Sequence, residues 1–454
     1  MITIIDAGEL QITGLPFAHR QAIQKKLSLT NPVYVRKIKL GTPMWGTQQF
    51  IEYYTYDKTT DTLYVPTGLR DSIVSFFKAQ KLEHTYEKRK LAPYRTGELI
   101  DTIKLRDYQI PLLEALSKND RGIIHLSTGG GKTVLALKCI ALSPLKATII
   151  VKDKNLLHQF KNECIDKLGI TPSLIGDGYK DTGDITIATI QTLQSDDALL
   201  EQLASNTGLL IVDELHTMIT EKRREVLRQF RPTRMYGLTA TMQLSDESMQ
   251  TPALQFVFGP VVGKHMIQTM KPVVNVLYTD AHIPVLAEYN KMIDLMIKHE
   301  ARNKLIIGIA AAEIMSGGKV LILTKRVEHA ELLYDRLKDM NGVYLIKQDT
   351  KEKSILLHDM KYGDTSFTCI IGTIALLGTG FDIPTLDRLF LVGDMKSNVL
   401  TTQTTGRILR ILQGKEPVIY DFVDNKNGML RAQYKSREKI YRENQWEITP
   451  YGRE

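Results

Sequence analysis

GIIHLSTGGGKTVLALKCIAL, residues 122–142, reads as a buried strand, a glycine-rich loop and a helix in immediate succession. That order makes an anion cradle, because the loop's backbone N–H groups and the first turn of the helix converge on one point of positive potential. Gly129, Gly130 and Gly131 let the backbone come close to a phosphate. Lys132 is then placed for the β- and γ-phosphates of ATP and Thr133 for Mg²⁺, with Ser127 and Thr128 in the same loop. Leu126 stands where the general form of such a loop has its first glycine.

Outward from this loop the pattern repeats. ATIIVK (147–152), ITIATI (185–190), GLLIVDE (208–214) and MYGLTAT (235–241) are short apolar runs separated by helical stretches. From about 103 to 242 this predicts a parallel sheet covered on both faces. A second alternating unit begins near 301, with KVLILTK (319–325), YLIKQ (344–348), TCIIGT (368–373), RLFLVG (388–393) and PVIYDFVD (417–424). The fold class expected is α/β: two tandem parallel-sheet lobes, at 96–244 and 301–430, joined by an inter-lobe segment at 245–300. Residues 431–454 are expected to close the chain as a helix and tail.

Residues 1–95 read as a small α+β domain. VYVRKIKL (33–40) and QFIEYYTY (49–56) carry the β-branched and aromatic residues of strands, DTLYVP (61–66) a third strand, and Leu69 to Leu82 a helix. This stretch holds 14 Lys and Arg against 8 Asp and Glu, most of the net charge of +8. An excess of that kind favours a polyanionic partner. Arg36, Lys37, Lys39, Lys88, Arg89 and Lys90 lie near Tyr34, Trp45, Tyr53 and Tyr54 in sequence. Two readings stay open: a nucleic-acid surface joining charge to stacking, or an ordinary solvated face over a core of rings.

A hydrophobic content of 43% supports real cores and argues against general disorder. Cys139, Cys164 and Cys369 form no zinc spacing and are expected reduced. No apolar window is long enough to span a membrane, so a cytoplasmic protein is expected.

LLIVDELH (209–216) ends a buried strand on two acids. Asp213 is suited to hold Mg²⁺ through water, and Glu214 to position and polarise an attacking water. Phosphoryl transfer needs both, because its barrier falls mainly through positioning and charge neutralisation. His216 is a candidate relay.

With these two boxes in place, the chain resembles superfamily 2 helicases over roughly residues 103–424. LRDYQ (105–109) is similar to the segment whose glutamine contacts adenine, which assigns that role to Gln109 with Arg106 beside it. KDKNLLHQF (152–160) and IATIQTL (187–193) resemble strand-end motifs that touch the nucleic-acid backbone, implicating Lys152 and Thr189. TAT (239–241) matches the motif coupling nucleotide state to strand movement, through Thr239 and Thr241. LILTKRVEHAELL (321–333), GTIALLGTGFDIP (372–384) and QTTGRILR (403–410) resemble motifs IV, V and VI. LYVPTGL (63–69) is similar to a stretch of phage branch-migration and recombination helicases of the T4 and T5 type, with Thr67 where those have arginine. The chain resembles XPB-like proteins as well.

The resemblance implies two RecA-like lobes, ATP and Mg²⁺, and remodelling of forked or branched DNA, with single-stranded DNA and phage recombination or replication proteins as further candidate partners. Arg407 and Arg410, three apart, share a helix side and suit a γ-phosphate transition state. Gln403 is placed at the nucleotide or water, and Gly380 and Asp382 at the nucleotide or its sugar. Thr373 and Thr379 join Thr189 as backbone-phosphate contacts. Alternatives are a translocase on duplex DNA, an RNA helicase, or an inert scaffold. The intact Lys132, Asp213, Glu214, Arg407 and Arg410 weigh against the last.

Overall fold

The computed structural model describes residues 1–89, 93–127, 129–218, 220–240, 250–266, 270–286, 288–347, 350, 353–374, 383–394, 412 and 414–451. Two compact units divide the chain, Met1–Ile267 and Gln268–Glu454.

The first unit opens with β1 (Ile2–Asp6), β2 (Glu9–Thr13), α1 (Phe17–Lys26), β3 (Ser28–Thr30), α2 (Pro32–Leu40), β4 (Phe50–Glu52), β5 (Thr55–Asp57), β6 (Thr62–Pro66), α3 (Arg70–Ala79) and β7 (His84–Lys88). Five of the strands form a sheet in the order β5-β6-β2-β1-β7, while β3 and β4 pair separately as a two-stranded ribbon. Alternation of buried and half-buried residues along β1 and β2 marks a sheet packed on one face only.

VYVRKIKL, expected as a strand, is the helix α2. Its caps overrule its β-branched content. The Asn31 side chain accepts the Val33 N–H, Pro32 sits at the helix start, and Gly41 ends it in the left-handed region at φ 61°. QFIEYYTY is likewise two strands rather than one. It breaks at Tyr53, whose ring is buried in the domain core and whose N–H bonds back to the Leu27 carbonyl.

The rest of the first unit is built around eight strands. They are β8 (Arg121–Leu126), β9 (Ala147–Val151), β10 (Ser173–Gly176), β11 (Tyr179–Lys180), β12 (Ile185–Thr189), β13 (Leu209–Val212), β14 (Arg234–Thr239) and β15 (Val261–His265). Their order is β11-β10-β12-β9-β13-β14-β8-β15, and only β11 runs antiparallel to its neighbour. Strands β8, β9, β12 and β13 are buried at every position, as burial on both faces requires. Helices α4 (Gln109–Lys118), α5 (Lys132–Ala141), α6 (Lys154–Leu168), α7 (Ile190–Ser195), α8 (Asp197–Ser205), α9 (Glu221–Gln229) and α10 (Gln250–Phe258) accompany them.

The N-terminal sheet does not end at its own surface. Ala253 of α10 belongs to its hydrophobic core, and the Phe256 ring meets Tyr53 edge-on at 5.2 Å. Gly68 packs so tightly that a Cβ there would lie 2.5 Å from the Phe256 carbonyl oxygen. Glu9 pairs with Arg228 and Lys88 with Asp120.

In the second unit, β16 (Val273–Tyr278), β17 (Val320–Thr324), β18 (Val343–Ile346), β19 (Cys369–Thr373), β20 (Arg388–Leu391), β21 (Val418–Val423) and β22 (Glu447–Pro450) form a parallel sheet ordered β18-β19-β17-β20-β21-β16-β22. The segment 245–300 is thus divided, with α10 and β15 in the first unit and β16 in the second. The expected tail contains β22, which pairs with β16 at the sheet edge, after the helix Gly428–Glu443. The cysteines are free and buried. Among the described residues no helix is long and apolar enough to cross a membrane.

Beneath this second sheet Arg302 is buried against Asp424, which also accepts from Thr279. Next to it the His329 ring bonds to Asn303 Oδ1 at 3.1 Å. Burial, with Arg302 adding to it, pushes the His329 imidazole down to about 3. The unfolded chain therefore takes up a proton below about pH 6.5 that the native state refuses. Stability should be full above that pH and fall by roughly 1.4 kcal/mol per unit on acidification towards 3. Thermal melting at pH 7.5 and 5 should show this slope in the wild type and a flatter one in His329→Gln.

Candidate active site

The loop after β8 owes its shape to sterics. Gly131, the N-cap of α5, has φ 77°, a left-handed conformation costly for other residues. A Cβ on Gly130 would lie 2.5 Å from Leu126 Cγ. Leu126 therefore occupies a packing position under the loop, where a bulky side chain is useful. Thr133 follows in the first turn of α5, half-buried. Thr128 lies outside the described residues.

Gln109, at the start of α4, is buried and holds the loop from behind. Its Nε2 donates to the carbonyls of Gly130 at 3.0 Å and Gly131 at 3.3 Å, and its Oε1 accepts the Arg106 N–H. Both ends of the amide are thus engaged within the protein. The Tyr108 hydroxyl also donates to the Gly130 carbonyl. The Tyr108 ring stacks on His265 at 4.2 Å with an interplanar angle of 4°. His265 ends β15, and no signal in the sequence connects it to this loop.

The acidic box meets the loop lysine. Lys132 Nζ donates to Glu214 Oε1 at 2.9 Å across 82 residues. The chain leaves β13 sharply, and Glu214 sits at φ 47°, a strained value for a side chain of its size that aims the carboxylate at the lysine. Asp213 is buried, and its Oδ1 has no hydrogen-bond partner. Burial first, and the Glu214 charge second, push the Asp213 carboxyl up to about 7. Burial also opposes ionisation of Glu214, but Lys132 and His216 outweigh it and hold that carboxyl below its usual range. A buried carboxylate oxygen without a donor, beside a glycine cradle at a helix start, fits a divalent cation and a polyphosphate.

His216 sits between Thr239 Oγ1 at 3.1 Å and Glu214 Oε2 at 3.3 Å. It joins the acidic box to the end of β14, while Thr241 lies outside the described residues. His125 ties β8 to the same strand end through the Ala240 carbonyl. Lys152 follows β9, near enough for its charge to act on Asp213 and Glu214. Thr189 ends β12 largely buried, its hydroxyl 2.8 Å from that of Thr192. Ser127, Lys152, Thr189, Asp213 and Thr239 thus cluster at the C-terminal ends of parallel strands, where open α/β sheets bind ligands.

In the second unit Thr373 ends β19, buried. Thr379, Gly380, Asp382, Gln403, Arg407 and Arg410 lie outside the described residues. In the N-terminal domain Arg36 and Lys37 are on α2, as is Lys39 in sequence. Trp45 is exposed and Tyr53 buried. Lys88 is committed to Asp120 and Arg89 to Glu87, leaving Lys90 outside the described residues.

Comparison with known proteins bears on this arrangement. Residues 102–244 match the family described as Type III restriction enzyme, res subunit. The putative helicase 161L of Invertebrate iridescent virus 6 is 29% identical over 75% of this chain and 81% of its own length. The transcript termination protein OPG145 of Variola virus is 27% identical over 66% of this chain, a match spanning 64% of that relative, under two thirds of its length. The DUF1998 helicase MrfA bound to DNA shares the fold, with a TM-score of 0.56 at 17% identity over 80% of this chain and 54% of that one. Residues 102–244 thus match the type III restriction res-subunit family, and three quarters of the chain is similar to a viral putative helicase.

Proposed function

We propose that this protein is an ATP-dependent DNA helicase that unwinds or branch-migrates forks, Holliday junctions or D-loops in recombination, repair or replication. The observation that carries the reading is the junction of Lys132 with Glu214 at 2.9 Å beside the buried Asp213. A phosphate-binding lysine, a water-polarising carboxylate and a cation-binding carboxylate then act on one phosphoanhydride.

On this reading Thr133, and Asp213 through water, would hold Mg²⁺, which would supply charge neutralisation for the phosphates. Lys132 exchanges its bond with Glu214 for the γ-phosphate, and the freed Glu214 carboxylate orients and deprotonates water. Gln109 keeps the loop rigid and reaches adenine only if it releases a loop carbonyl, with Arg106 beside it. Gln403, Arg407 and Arg410 supply further donors to the transition state, and Gly380 and Asp382 contact the nucleotide. His216 passes the state of Glu214 to Thr239, and so to the strand held at Lys152, Thr189, Thr373 and Thr379. The N-terminal domain is an accessory DNA-binding unit.

The test is ATP-dependent strand release from a fork, a Holliday junction and a blunt duplex, with Glu214→Gln as control. Release from fork and junction that disappears in the control is expected. Hydrolysis without release from any DNA favours a duplex translocase. The poxvirus relative's name supports a second reading, release of a transcript from its template. Preference for an RNA–DNA hybrid over all three DNAs would favour it.

A further inference from the structure

The ribbon β3–β4 is seated on the N-terminal core through Leu29 and Ile51 and carries the stretch 31–49 between its strands. Among the described side chains from 31 to 49, none joins a hydrophobic core cluster, although the segment is ordered by its own bonds. Asn31 fastens both ends, its N–H to the Gln49 carbonyl and its side chain to the Gln48 carbonyl. Lys37 Nζ bonds Thr47 Oγ1 at 2.6 Å, folding the loop back on α2. At the turn of that loop Trp45 is 92% exposed, with Ile38 and Leu40 of the helix also exposed. Tryptophan is normally among the more buried residues, so a ring held out on an ordered loop marks a contact surface.

Charge decides the kind of partner. From Leu10 to Ile51 there is no aspartate or glutamate, against Arg20, Lys25, Lys26, Arg36, Lys37 and Lys39. Arg20 is spent on Asp61, but the α2 cations, in a stretch without acids that also carries an exposed ring, suit a polyanion whose own units have flat faces, namely unpaired nucleotides. Blunt duplex offers phosphates but hides its base faces.

We propose that residues 28–52 form an arm that engages unpaired bases where two strands part, Trp45 stacking on a base and Arg36 and Lys37 meeting the phosphates. The inference rests on the helicase reading and adds the element that senses the branch. Tyr53 has no part in it, being in the core.

The sequence has two tryptophans, so Trp446→Phe in the full chain makes Trp45 the sole indole reporter. Trp446 stacks on Tyr441, and phenylalanine keeps a ring there. Trp45 fluorescence should be quenched by a fork with unpaired arms and little changed by blunt duplex. The fork Kd should rise about tenfold in Trp45→Ala and less than about threefold in Trp45→Phe, the blunt-duplex Kd holding in both. Equal fork affinity in wild type and Trp45→Ala, with ATP hydrolysis still stimulated by the fork, overturns the arm and leaves the helicase reading standing. A wild type that neither binds nor responds to DNA overturns both. A Trp45 signal seen with phosphatidylserine vesicles or with rising protein concentration, but not with forks, overturns the arm in favour of a membrane or a second copy.

Discussion

Glu214→Gln is expected to slow ATP turnover by about two to four orders of magnitude while KM for ATP stays level or falls. Glutamine preserves the shape and can still approach Lys132, but it cannot take a proton from water. The KM expectation follows from Asp213. Its carboxyl is pushed up by burial and then by the Glu214 charge. Removing that charge moves Asp213 back towards the ordinary carboxylate range and favours the ionised form a cation requires. Pre-steady-state hydrolysis and nucleotide binding, measured together, check both halves. A loss of binding equal to the loss of turnover would make Glu214 a structural partner of Lys132 instead.

The largest stability effect is expected at the helix Gly428–Glu443. Arg437 is buried on it and grips Asp421 of β21 with two bonds, at 2.9 and 2.7 Å, while the Tyr441 hydroxyl donates to the same carboxylate at 2.8 Å. Arg437→Met leaves a fully buried carboxylate without its counter-charge, which costs about 3–5 kcal/mol. Arg437→Met with Asp421→Leu removes both charges, and most of the loss should return because no ion is left stranded. Calorimetric melting of the full chain, with the two single variants and the double, measures the coupling. Additive losses would show that the pair contributes little beyond packing.

How much of this was legible beforehand follows from how local each signal is. Strands such as ATIIVK and TCIIGT were readable because burial on both faces demands an unbroken apolar run, and both lie in the sheets where expected. VYVRKIKL misled because its β-branched residues suggest a strand, while Asn31, Pro32 and Gly41 just outside it start and stop a helix. The tail misled because β22 is specified by its main-chain pairing with β16, more than a hundred residues earlier.

The site divides the same way. Lys132, Thr133, Asp213 and Glu214 could be nominated from sequence alone, since a glycine loop between strand and helix, and paired acids at a strand end, are contiguous patterns with a chemical reason. Tertiary structure alone decided that Glu214 turns through φ 47° to reach Lys132, that Gln109 is engaged by the loop carbonyls, and that His265 stacks on Tyr108. It also separated the rings of the N-terminal domain, burying Tyr53 and exposing Trp45. Sequence fixes which groups the chain carries and the local order of its elements. Which groups meet depends on sheet order and on the burial that follows from it, and both are properties of contacts distant along the chain.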